Sequence, residues 1–170
     1  LRWQDTDLDA GTVTIHQTLV HLEKGKWQFG TPKTPQSRRT IPLPISVLNQ
    51  LRTHRVAQAK HRLKMGEAYT DLDLVFASEL GGPSDAQNLA YRVLKPALKA
   101  AGLPKEFRWY DCRHTCATLL LAAGENAKVV SERLGHATVA FTLDRYAHVM
   151  PGMQEQASEK LEAMLFGSGS

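Results

Sequence analysis

Apolar and polar positions alternate with a period of two early in the chain. Val13, Ile15 and Gln17 are interleaved with Thr12, Thr14 and His16, and Thr, Val and Ile dominate as far as Leu22, so Val13 to Leu22 reads as a strand. Lys24-Gly25-Lys26 is a turn, and Trp27 to Phe29 and Arg39 to Leu43 are two more short strands joined by a proline-bearing loop, Gly30 to Ser37. The rhythm then changes to 3.6. After Pro44 and Ser46, the residues Val47, Leu48, Leu51, His54, Arg55, Gln58 and Arg62 share a helical repeat that ends near Met65-Gly66. Leu74 to Phe76 is a short extended piece. Ser84 can cap a second helix, apolar at Leu89, Val93, Leu94, Ala97 and Leu98 and closed by Gly102. Further helices are expected over Tyr110 to Ala123, Ala127 to Leu134, Thr138 to Tyr146 and Met153 to Phe166, with Gly124, Gly135 and Pro151-Gly152 as their punctuation. The expected fold class is α+β: a mostly helical domain with a small antiparallel sheet of about three strands near the N-terminus.

Composition changes this picture little. The chain has 170 residues, 42% hydrophobic and 22% charged, which are ordinary globular values. No apolar run approaches the roughly 20 residues of a membrane span, and the first ten residues carry three Asp and no signal-peptide core. Cys112 and Cys116 stand four apart on one helical face, which excludes a disulfide framework and favours a reduced, intracellular setting. Leu1-Arg2-Trp3 opens without Met and Gly167-Ser168-Gly169-Ser170 reads as a linker or cloning scar, so the chain is expected to be a fragment with its upstream part missing. The expected organisation is a domain over 1–150, a C-terminal helix over 151–166 whose apolar stripe packs either on its own domain or in trans on another copy, and a linker or scar over 167–170.

Charge does change the picture. The net charge is only +4, yet ten of the 21 Lys and Arg fall between Lys24 and Lys64, a stretch without Asp or Glu. A basic block in an otherwise acidic chain points to a polyanion, with Lys24, Lys26, Arg38 and Arg39 as candidate contacts; the alternative is a solvated charged face.

Four segments carry polar groups that packing does not require. Lys33 lies on the proline-stiffened loop, where its ammonium is either solvated or presented to a ligand. Tyr110-Asp111-Cys112-Arg113-His114-Thr115 opens a helix, and a cation in a first turn is unfavourable unless an anion repairs it. Arg113 therefore holds either a bound phosphate or a salt bridge to Asp111 or Glu132, while His114 reads as a satisfied core or capping histidine. Leu134-Gly135-His136 places a histidine directly after a helix-ending glycine. Thr142 to His148 contains Tyr146, either a core aromatic or a nucleophile, since a phenol activated by neighbours forms covalent intermediates. No spacing matches C-x-x-C, H-x-x-x-H or H-E-x-x-H, and there is no Walker A loop, G-x-G-x-x-G or nucleophilic serine elbow.

Pro32-Lys33-Thr34 with Ser37 to Leu43, then Arg113-His114-Thr115, Leu134-Gly135-His136 and Tyr146-Ala147-His148, taken in this order, resemble the catalytic domain of the tyrosine recombinase family, the phage-integrase type. The resemblance implies an enzyme of a phage or mobile element that cleaves and rejoins DNA without metal or cofactor. Tyr146 would be the nucleophile, Lys33 the general acid, and Arg113 and His136 the phosphate grip. It also implies double-stranded DNA as partner, a tetrameric synapse of like subunits, and a bacterial cytoplasmic setting at the nucleoid. Two departures stand out. The family's first arginine has no match, so the 170 residues alone are expected to be a poor enzyme. Tyr110 occupies the position three before Arg113 where histidine is common. A DNA-binding module of the same fold that no longer cleaves, and a type IB topoisomerase relative, are the competing readings.

Overall fold

The computed structural model describes residues 1–21, 27–32, 34, 37–147 and 153–167. The chain forms two compact units, Leu1–Asp111 and Cys112–Ser170, with one helix running across the boundary.

The first unit begins with a three-stranded antiparallel sheet in the order β1 (Thr6–Asp7), β2 (Thr12–Ile15), β5 (Arg39–Pro42). The β1–β2 turn is a local device. Asp7 Oδ1 accepts from the backbone N–H groups of Asp9 and Ala10 at 3.0 and 2.7 Å, and Gly11 takes φ +70°, which a side chain resists. Val13 is buried opposite Ile41, and the hydroxyls of Thr14 and Thr40 meet across the pair at 3.0 Å. The expected single strand from Val13 to Leu22 is in fact two. β2 ends at Ile15, opposite Arg39, the first residue of β5; beyond that point the chain has lost its neighbour and finds another. β3 (Thr18–His21) pairs instead with β4 (Trp27–Gly30) as a separate two-stranded antiparallel ribbon. The predicted turn at Lys24-Gly25-Lys26 lies outside the described residues.

α1 (Ile45–Met65) covers the predicted span, ending at Gly66 with φ +55°. Leu48 and Leu51 are its buried residues, and Leu51 packs with Trp3 and Val75. Further along the same face the helix turns polar for a reason. His54 Nε2 meets the Val75 carbonyl at 2.6 Å, and Gln58 donates to the Leu74 carbonyl at 2.9 Å while accepting from Trp3 Nε1 at 2.6 Å. The extended segment at Leu74 is thereby satisfied without a full strand partner; it makes one isolated bridge to Arg2.

The second predicted helix starts one residue later than expected. Asp85, not Ser84, is the cap, its carboxylate accepting from Asn88 N at 2.8 Å. The helix runs as α2 (Ala86–Leu89), a π-turn (Ala90–Leu94) and α3 (Lys95–Ala100). The π-turn, in which Lys95 N–H reaches back to the Ala90 carbonyl, ends two residues before Pro96, which has no N–H for the ordinary bond to the fourth residue back and crowds that carbonyl.

The second unit takes most of α4 (Trp109–Ala122), then α5 (Ala127–Leu134), α6 (Val139–Tyr146) and α7 (Met153–Phe166). Its core is Ala117 and Leu121 of α4, Val130 and Leu134 of α5, and Tyr146 of α6. Asn126 caps α5 and Thr138 caps α6, so each short helix has its first orphan N–H groups met by a side chain. Among the described side chains of α7, Leu161, Met164, Leu165 and Phe166 are all exposed, from 58% to 85%. No helix among the described residues is long and apolar enough to cross a membrane.

Candidate active site

The second unit brings three of the singled-out residues onto two adjoining helices and a loop. α6 buries Thr142 and Tyr146, which are four apart and so lie one above the other. Each meets a histidine. His136 Nδ1 lies 2.7 Å from the Thr142 hydroxyl, and His114 Nδ1 lies 2.7 Å from the Tyr146 hydroxyl.

His136 is placed by how α5 stops. Gly135 adopts φ 68° and ψ 42°, the left-handed region that glycine enters without penalty. Its N–H reaches the Glu132 carbonyl and the His136 N–H the Ser131 carbonyl, both at 3.0 Å, the paired bonds of a Schellman cap. The Leu-Gly-His run is thus a geometric device: the glycine turns the chain so that the next residue points back at α6. Ser131, itself buried, donates to the Thr138 carbonyl at 3.2 Å and pins the loop between α5 and α6. The His136 ring also stands edge-on to Phe141, with centroids 4.9 Å apart. With Nδ1 engaged by Thr142, the imidazole has a set orientation.

Tyr146 is only 3% exposed, its ring packed among Ala117, Leu121, Val130 and Leu134. The sequence alternatives of core aromatic and nucleophile therefore coincide in one residue: the ring belongs to the core and the hydroxyl to a polar contact. His114 is the residue that sequence reasoning undervalued. It is a satisfied, half-buried histidine as expected, but its partner is the Tyr146 hydroxyl. The available signal was its phase: His114, Ala117 and Leu121 fall at i, i+3 and i+7, the buried stripe of α4.

Arg113, also half-buried on α4, makes no ion pair among the described residues. The helix begins at Trp109, which moves Arg113 out of the first turn and weakens the dipole argument. The salt bridge to Asp111 considered from sequence is replaced by another. Asp111 receives Arg108 Nε and Nη2 at 3.2 and 3.1 Å and its backbone N–H at 2.8 Å, and those hydrogen bonds raise the Arg108 pKa above its ordinary value. Tyr110 is exposed in the first turn of α4.

Of the candidate DNA contacts in the first unit, Arg38 is exposed and Arg39 is half-buried at the start of β5, donating to the Ser37 carbonyl at 3.0 Å. Lys24, Lys26, Lys33 and His148 lie outside the described residues. Among the described residues, no group of three or more His, Cys, Asp or Glu is arranged to hold a metal ion; Cys112 and Cys116 are both thiols.

The profile of the phage integrase family matches residues 1–152, and the chain belongs to that family. It is 36% identical to a tyrosine recombinase XerC-like protein of Caldanaerobacter subterraneus subsp. tengcongensis over 95% of this chain, and 28% identical to the ICEBs1 integrase of Bacillus subtilis over 97%. This chain spans 44% of the length of each of those two relatives. The fold is that of solved recombinases. The Tn1549 transposon integrase, determined in complex with transposon right end DNA, matches with a TM-score of 0.75 at 24% identity, over 96% of this chain and 53% of that one. The XerA recombinase matches with a TM-score of 0.61 at 22% identity, over 99% of this chain and 52% of that one.

Proposed function

We propose that this chain is the catalytic domain of a site-specific DNA recombinase, an integrase of a phage or mobile element, in which Tyr146 attacks a DNA phosphodiester. The observation that carries the reading is the buried face of α6, where the hydroxyl of Tyr146 is held at 2.7 Å by one histidine and that of Thr142 by another. Any buried tyrosine hydroxyl takes a hydrogen-bond partner; what favours a nucleophile here is the kind of partner, an imidazole that can fix the oxygen and take up its proton.

In this reading the Tyr146 oxygen bonds to phosphorus, a 3′-phosphotyrosine forms and the 5′ oxygen leaves as a hydroxyl. Arg113 and His136 supply cationic and hydrogen-bonding donors to the non-bridging oxygens, where charge develops in the transition state. Lys33 protonates the leaving 5′ oxygen, and Tyr110 stands three residues before Arg113 on α4. Double-stranded DNA is the partner, gripped in part by Lys24, Lys26, Arg38 and Arg39, and other copies of the chain complete a tetrameric synapse. The test is a nicked suicide duplex incubated with an active protein carrying this chain. A covalent protein–DNA adduct supports the recombinase; binding without an adduct supports a silent DNA-binding module.

Two further results are expected. Neutralising Arg38 and Arg39 together should weaken binding to every sequence alike and flatten log Kd against log salt by about 0.9 for each phosphate left without its cation; an unchanged slope would make the basic stretch a solvated face. Replacing Lys33 with Ala should slow adduct formation on ordinary DNA and be largely rescued when the bridging 5′ oxygen is sulfur, a leaving group that needs no proton. Equal impairment on both strands would leave Lys33 a role in binding alone.

A further inference from the structure

We propose that His114 is the proton acceptor for Tyr146, a role that rests on reading Tyr146 as the nucleophile. Three features carry it. Nδ1 of His114 lies 2.7 Å from the phenol oxygen, inside the reach that direct proton transfer requires. The ring of Tyr146 is 3% exposed within an apolar cluster, which shields the phenol from bulk water as a general sink for the proton. And His114 is held by the interior of a 14-residue helix, on the same face as buried Ala117 and Leu121, so the imidazole is presented by rigid backbone rather than by a loop.

The neighbouring phenol does not compete for this role. Tyr110 precedes His114 by one turn of α4, is 59% exposed, and carries a group that is a weak base near neutral pH. Imidazole is the side chain suited to exchanging a proton there.

The step balances. A lone pair of the Tyr146 oxygen forms the bond to phosphorus, and its proton passes to Nδ1 of His114, giving imidazolium. The bond from phosphorus to the bridging 5′ oxygen breaks, and that oxygen keeps the electron pair and takes a proton from Lys33. Cleavage starts from the tautomer with its hydrogen on Nε2. In rejoining, the 5′ hydroxyl attacks the phosphotyrosine and gives its proton to the neutral Lys33 amine, while imidazolium returns its proton to the departing Tyr146 oxygen. His114 is thus base in one direction and acid in the other.

The experiment measures single-turnover adduct formation on a nicked suicide duplex, using an active protein carrying this chain. His114→Asn keeps a polar atom near the Nδ1 position but takes up no proton near neutrality; it should slow the adduct by roughly 10²–10⁴-fold, the span of general acid–base catalysis, with DNA affinity unchanged. Putting a fluorinated, more acidic tyrosine at position 146 should restore a large part of that loss, because a more acidic phenol depends less on its base. Should His114→Asn melt early, His114→Gln serves in the same comparison. A Tyr146-dependent adduct formed by His114→Asn at or above the unaltered rate overturns this proposal alone. So does a defect that the fluorinated tyrosine fails to relieve, which would leave His114 a positioning residue. No adduct from the unaltered protein, or an adduct surviving Tyr146→Phe, overturns the nucleophile reading instead.

Discussion

Exchanging Tyr146 for Phe should abolish the covalent protein–DNA adduct completely and leave duplex binding nearly intact. The substitution removes one oxygen and retains the ring. Since that ring is what packs against Ala117, Leu121, Val130 and Leu134, the second unit should keep its core. The loss includes the 2.7 Å hydrogen bond to His114, and a hydrogen bond is worth about 0.5–1.5 kcal/mol net in a folded protein. The melting temperature should therefore fall by only a few degrees. A chemical step with no nucleophile has no slow version of itself, so the adduct band should be missing rather than faint. Denaturing gels of the suicide-substrate reaction, run beside a binding isotherm and a thermal scan, separate these outcomes. An adduct that persists would remove Tyr146 from the mechanism, and a collapse of the thermal transition would mean that the hydroxyl matters mainly to folding.

The helices were largely legible because their ends are written in local chemistry. Gly135 marks the end of α5, and the spans of α5 and α7 follow directly from periodicity and punctuation. Ser84 and Asp85 are adjacent residues of equal capping quality, and only the backbone geometry chooses between them. The sheet was less legible. Nothing in the run from Val13 to Leu22 announces that the chain changes partner after Ile15, because strand pairing is a long-range choice settled by where β5 begins. The site shows the same division. Motif order pointed to Tyr146, Arg113 and His136, but not to the contact from His114 to Tyr146 across 32 residues of sequence. Period and phase were enough to put His114 on the buried face of α4 with Ala117 and Leu121, but not to say what it would meet there.

Changing Leu161 and Leu165 together to Asp should cripple assembly on DNA while the isolated chain melts almost as before. On α7 these residues are 58% and 65% exposed and continue into Met164 and Phe166, more exposed still. Met153, Ala157, Leu161, Met164 and Leu165 fall on one helical stripe by sequence spacing, and the exposed large apolar side chains of Leu161, Met164 and Leu165 make a surface awaiting a partner. We propose that the partner is a second copy of this chain, each donating α7 to its neighbour, a heterologous contact that closes into a ring. Burying two leucines is worth roughly 1.5–3 kcal/mol each. Removing that from an interface weakens each subunit junction on the order of a hundredfold or more, since every 1.4 kcal/mol is about tenfold. The cost to the isolated chain is far smaller. The two carboxylates, one turn apart, repel by only about 0.2–0.5 kcal/mol, and substitutions at exposed positions are usually within about 0.5 kcal/mol of neutral. Sedimentation on a DNA duplex bearing paired sites, with a melting curve of the protein alone, reads both quantities. Assembly retained alongside a large drop in melting temperature would show that the stripe of α7 packs against its own chain.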